Sequence, residues 1–249
     1  MYLGLWPIEL IIVPSSLGGL SPLLTLWLLD RSSKDQRIVG PIFESIHSWK
    51  KHIHWLIVAA TAYPLLIVAG NLVSFSAGYE LQLVLLNPGP AELGFALIAI
   101  IPITFFAGNI SSPLFEEPGW RGFALPKLQA RFGRELGSLI VGCYWWLWHQ
   151  MMNISFGIYP SIAGFVSMLG LSFAIDSIFN LSRRNLLAAM FTHSSSFIVN
   201  TYFSLGTNDL TSLTISLIVW IFVAGLRVIE KKRGYPNMIG QSLSSDSTE

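Results

Sequence analysis

Charge is scarce in this chain. Only 12% of its 249 residues are Asp, Glu, Lys or Arg, about half the share of a soluble domain. In its place stand 52% hydrophobic residues and a mean hydropathy of +0.57. A soluble core of this size cannot enclose that much apolar side chain, so lipid is the solvent for the rest. An excess of either sign is also missing. The formal net charge of +1 gives no electrostatic footprint for nucleic acid. One cysteine, Cys143, excludes an intrachain disulfide and reads as a packing or lipid-facing residue. No Lys or Arg precedes Arg31, so the basic start of a secretory signal is lacking and the first apolar stretch is read as a span. No internal repeat is present, which removes the support for an inverted-repeat transporter.

What remains is long apolar runs. Seven are read, at about 6–29, 53–77, 91–117, 136–154, 158–181, 186–205 and 209–229. Each is long enough to cross a core ~30 Å thick at ~1.5 Å per residue. The expected fold is all-α, a polytopic bundle of about seven transmembrane helices. Basic residues occupy alternate connections: Arg31 to Lys51, Arg121 to Arg134, Arg183 with Arg184, and Arg227 to Arg233. The connections at 78–90, 155–157 and 206–208 hold no Lys or Arg. By the positive-inside rule the N-terminus is outside and the C-terminus inside. Four regions follow: helices one and two with their loops (1–90), a core (91–205), the last helix and its basic end (206–233), and a polar tail read as disordered (234–249). His47, His52 and His54, among Trp49, Lys50, Lys51 and Trp55, read as an interfacial anchor without chemistry.

Ionisable residues inside spans are costly and usually functional. Glu116, Glu117 and Arg121 close the third run, His149 lies in the fourth and His193 in the sixth. Glu116 is 17 residues before Gly133 and His149 is 16 after it. If Gly133 turns the chain between antiparallel helices, both lie ~25 Å from the turn. A carboxylate and an imidazole then meet, provided the third helix runs on through the motif; Pro118 and Pro126 argue against a straight one. His193 is nine residues from Arg184, or ~14 Å. Glu117 and Arg121 are four apart and share a face, which makes them a structural pair. Glu116 points about 100° away, toward His149 and a water. A carboxylate beside an imidazole suits a general base. Pattern alone also allows a surface ion cluster at a helix end, an aromatic-belt histidine at 149, and a helix-bridging histidine at 193.

The string Glu116-Glu117-Pro118-Gly119-Trp120-Arg121, continuing to Gly133, resembles the EExxxR motif of the CAAX prenyl protease and bacteriocin-processing (CPBP, or ABI) intramembrane protease family. Trp145 with His149 resembles its second motif, and His193 the histidine of its third. The third motif has Asn four residues after its His, where this chain has Phe197. Asn200, seven after His193, lies on the same helix face. The resemblance spans about 90–205 and implies a membrane-embedded hydrolase, a CAAX protease or bacteriocin-related endopeptidase, acting on peptide or protein substrates among membrane lipids. It implies Glu116 and His149 as water activators, and His193 with an amide, here Asn200, as oxyanion stabilisers. Glu117, Arg121 and Trp145 are motif residues. The family is often called a metalloprotease family, and Glu116, His149 and His193 are also a candidate Zn2+ set. The compact HExxH spacing is lacking, so cofactor use stays open between Zn2+ and none. The implied location is the cell membrane of a prokaryote. The alternatives are a non-catalytic immunity or binding protein on the same scaffold, and a proton-linked transporter.

Overall fold

A backbone in lipid must satisfy its own hydrogen bonds, and helices do so within one segment. The computed structural model describes residues 8–33, 37–79, 94–155, 159–202 and 209–234, and no strand occurs among them. The tail expected to be disordered lies, beyond Gly234, outside the described residues. The helices are α1 (Ile8–Ser32), α2 (Val39–Glu44), a 3-10 helix (Ser45–His52), α3 (Ile53–Ser76), α4 (Ala96–Ile110), α5 (Ser112–Glu117), a π-helix (Pro118–Ala124), α6 (Leu125–Phe132), α7 (Arg134–Ser155), α8 (Ile162–Leu181), α9 (Leu186–Tyr202) and α10 (Asp209–Arg233). The all-α membrane bundle expected from the sequence is what forms.

The third expected run differs. A single helix over 91–117 does not form: α4 ends at Ile110, Ser111 adopts φ −84° and ψ −123°, and α5 starts anew. The regular α-helix also fails through the motif, where the backbone widens to a π-helix over Pro118–Ala124. The cause is local. Pro113, Pro118 and Pro126 each sit at the start of a segment, where a missing N–H is tolerated, and each would clash inside a continuous α-helix. Gly133, at φ +82°, caps α6 and turns the chain into α7 as its position predicted.

The most enclosed helix is α8, buried from Leu169 through Phe179. It packs against α3, α7, α9 and α10. Outward faces are apolar in helical register: Ile57, Leu65 and Leu72 on α3, and Leu213, Leu217 and Ile221 on α10, are all exposed. Such stripes suit lipid rather than water. By length and composition three helical stretches can cross a membrane, Val39–Ser76, Ile162–Leu181 and Thr211–Arg233. The apolar helices suit an integral membrane protein.

The basic ends of several helices converge. Asn185, in the α8–α9 turn, donates to the Ser45 carbonyl (2.8 Å) and to Ser48 Oγ (2.9 Å) of the 3-10 helix. Arg134 at the start of α7 and Arg227 near the end of α10 both pair with Glu230. The Asp30 carboxylate accepts from the N–H groups of Ile38 and Val39, which draws the α1–α2 connection together.

One contact fixes the angle of the α6–α7 hairpin. A Cβ on Gly137 would lie 2.6 Å from the backbone N of Gln129. Gly137→Ala must push α6 away from α7, so it should destabilise by about 1–3 kcal/mol and lower the thermal midpoint of the detergent-solubilised protein. Gly225→Ala, where nothing lies within 4 Å, serves as control and should leave the midpoint unchanged or slightly raised.

Candidate active site

The site is built around a buried cation. The guanidinium of Arg121, on the π-helix, is fully buried, as are Glu117 and Asp176. Its Nη1 donates to Glu117 Oε1 (3.0 Å), its Nε to Asp176 Oδ1 (3.0 Å) and its Nη2 to Ser172 Oγ (2.8 Å). Its planar group also lies 4.7 Å from the centre of the Trp145 ring. Glu117 and Arg121 form the four-apart pair that their spacing suggested. Glu117 does more than anchor the motif, because the same Oε1 takes His193 Nδ1 at 2.8 Å. A carboxylate only accepts, so Nδ1 carries the hydrogen in that contact.

Glu116 diverges from Glu117, as expected, but not toward a direct bond with His149. Its Oε2 accepts from the indole N–H of Trp145 (2.8 Å) and its Oε1 from the hydroxyl of Ser112. Trp145 lies one helical turn before His149 on α7. The π-helix explains the offset: its wider turns advance less per residue, so the motif arm ends short of the depth an α-helix would reach. His149 Nδ1 contacts the Trp145 carbonyl oxygen at 2.8 Å, which again assigns the hydrogen to Nδ1 and leaves Nε2 as the ring's acceptor in the neutral form. The Trp145 ring stands edge-on to His149 (centroids 4.9 Å) and to His193 (5.1 Å). Glu116, His149 and His193 therefore surround one tryptophan. Helix α9 carries Phe197 and Asn200, whose side chains lie outside the described residues, so the expected role of Asn200 has no contact to weigh.

Glu116, His149 and His193 do not make a ready ligand set for Zn2+. Both Glu116 oxygens already accept from Ser112 and Trp145, and each imidazole meets the Trp145 ring edge-on. Among the described residues no group of three His, Cys, Asp or Glu side chains is disposed to hold a metal ion.

Sequence reasoning missed Asp176, Ser172 and Ser112. Asp176 had a signal: it is the lone acid in the apolar run 158–181, and Arg121 was a buried cation in need of a second counter-charge. Ser172 is one turn before it on the same face. Ser112 is four before Glu116, within reach along one helix face.

Two glutamates, an aspartate and two histidines are thus gathered inside an apolar helix bundle. Residues 97–200 match the family of type II CAAX prenyl endopeptidases described as Rce1-like. A CAAX prenyl protease 2 from Methanococcus maripaludis is 28% identical over 110 residues, 40% of this chain and 39% of that protein. The chain thus matches about two fifths of the length of that curated relative. The resemblance to the CPBP family is borne out over residues 97–200, the stretch that holds Glu116, Glu117, Arg121, Trp145, His149 and His193.

Removing one partner of a buried ion cluster leaves the other charge uncompensated. Asp176→Ala should therefore cost about 3–5 kcal/mol and lower the thermal midpoint sharply. Arg121→Lys keeps the charge but not the fork to Glu117, Asp176 and Ser172, and should also destabilise. A wild-type midpoint in either variant would show that the cluster does not hold the site together.

Proposed function

We propose that the protein is an intramembrane endopeptidase that hydrolyses peptide bonds of membrane-associated substrates, prenylated proteins or peptides among them. The observation that carries this reading is the convergence of Glu116, His149 and His193 on Trp145 within a family-matched core. We place it in the cell membrane of a prokaryote, with its N-terminus outside and the basic helix ends in the cytoplasm. The convergence of those basic ends supports the orientation.

The chemistry follows from the donors and acceptors. Glu116, held by Trp145 and Ser112, takes a proton from water as the water oxygen attacks the scissile carbonyl carbon. His149, with Nε2 as acceptor, shares that proton. His193, with Nδ1–H held by Glu117, acts in its doubly protonated form and donates from Nε2 to the oxyanion of the tetrahedral intermediate. Collapse of the intermediate breaks the C–N bond, and the proton passes to the leaving amine. Burial among apolar helices excludes bulk water and strengthens each of these interactions. Asn200 is assigned to the oxyanion side by its position one turn beyond the family asparagine.

The test is cleavage of a prenylated membrane peptide by purified protein. Glu116→Gln, His149→Ala and His193→Ala should each lower kcat by about 10²–10⁴-fold. Trp145→Phe keeps the ring but removes the N–H on Glu116, and should lower kcat while leaving the protein folded. Cleavage that survives Glu116→Gln would remove Glu116 as the base. A chelator should leave the rate unchanged, whereas loss on chelation and recovery with Zn2+ would favour the metal alternative. Phe197 motivates the second reading, a non-catalytic binding or immunity protein. That reading requires a membrane-binding or immunity phenotype that persists in all three variants.

A further inference from the structure

A second polar feature lies away from the site. A cleft of about 370 Å³ opens at the basic end of the bundle, between the start of α3, the α8–α9 turn and the end of α10. Its walls include Lys51, His52, His54, Arg183 and Arg233, with Trp55 and Leu181 beneath. No acidic residue lines it. Among the described residues, none of the Lys51, Arg183 and Arg233 side chains is in an ion pair with a carboxylate.

We propose that this cleft binds the phosphate headgroup of an anionic phospholipid. Three cations gathered without a counter-charge repel one another, so an anion between them relieves the arrangement. Arginine forks match phosphate oxygens, and a lysine adds a point charge. Trp55 supplies an independent sign of a ligand. It is 6% exposed, it lines the cleft, and its indole N–H has no acceptor among the described residues. A buried donor left unmade costs about 1–3 kcal/mol, and a phosphate oxygen would satisfy it. Arg233 lies 5.5 Å from the centre of the same ring, which ties the end of α10 to the cleft wall.

The turn carrying Arg183 points the same way. Arg183 and Arg184 adopt φ +56° and +63°, a region where glycine is usual. The turn is closed by Arg183 N to the Asn180 carbonyl (3.0 Å) and Arg184 N to the Phe179 carbonyl (2.8 Å). Keeping arginine there carries backbone strain of order 1 kcal/mol or more. The cleft gives the Arg183 side chain a use that glycine could not supply.

Lipid, rather than free phosphate, fits the surroundings. Exposed apolar side chains flank the cleft: Ile53 and Ile57 on α3, Val228 and Ile229 on α10. Acyl chains can run along these faces while the phosphate sits among the cations, as basic pockets between membrane helices do with anionic headgroups.

Full-length protein purified in detergent would be analysed by native mass spectrometry with added phosphatidylglycerol or phosphatidylcholine. Phosphatidylglycerol should be retained preferentially. Arg183→Gln combined with Arg233→Gln should weaken its retention roughly tenfold or more. Lys127→Gln combined with Arg131→Gln, which removes two charges outside the cleft, should not. Equal loss in both pairs would reduce the effect to diffuse surface charge and overturn the proposal. So would equal retention of the two lipids by the wild type. Inorganic phosphate is the third arm; if it alone displaces phosphatidylglycerol fully at millimolar concentration, the site is one for free phosphate and the lipid assignment fails. Should the double variant not fold, Lys51→Gln and Trp55→Phe decide the matter. Each should lower retention several-fold, Lys51→Gln at an unchanged thermal midpoint, and wild-type retention in both would refute the site.

Discussion

The bundle is organised around one buried guanidinium. Taking Arg121 out of water costs several kcal/mol even after relaxation, and only dense, well-directed partners offset that. Glu117, Asp176, Ser172 and the face of Trp145 supply them from three stretches of chain. The constraint is strict because a guanidinium is planar, with its donors fixed in direction. Once Arg121 is satisfied, the π-helix, α7 and α8 have little freedom relative to each other. Glu117 then extends the constraint to α9 through His193. The positions of Glu116, His149 and His193 are thus consequences of the anchor rather than independent features.

Trp145 converts that anchor into a directed site. Its ring lies beside Arg121, its N–H orients Glu116, its edges meet both histidines, and its carbonyl fixes the His149 ring. A phenylalanine could supply the ring contacts but not the N–H donor. The two adjacent acids therefore have different surroundings though they are neighbours in sequence: Glu116 takes uncharged donors, Glu117 an arginine and a histidine. Local helix geometry separates them by about 100°, and the tertiary partners make the separation chemical.

Much of this was legible in the residues because it is local. The seven apolar runs, the Gly133 turn and the four-residue spacing of Glu117 and Arg121 each depend on near neighbours, where periodicity carries information. The rest depends on distant ones. Asp176 has no local pattern to announce it; its meaning comes from Arg121, 55 residues earlier. The prolines announced a disturbance of the third helix, but not that it would be a π-helix, and that choice decides whether Glu116 bonds Trp145 or reaches His149. His52 and His54 read as an interfacial anchor because nothing in their own segment shows that Arg183 and Arg233 face them across a cleft.

A second ionic group lies at the charged end of the bundle. Arg227 on α10 pairs with Glu230, which also meets Arg134, and both arginines reach Glu135. Ser138 joins this group, accepting from Arg227 and from Gln129 beside the Gly133 turn. In both groups the signs alternate: Glu117, Arg121 and Asp176 in the site, and Glu230, Arg227, Glu135 and Arg134 at the charged end, each next to its opposite. In a low-dielectric interior, alternation matters more than the strength of any one pair, because an isolated buried charge has no solvent to fall back on. Pairing of this kind lets the bundle hold a charged motif at depth while its outer faces stay largely apolar. The lone acid of α8 sits where it does because Asp176 is the second counter-charge to the cation of the motif.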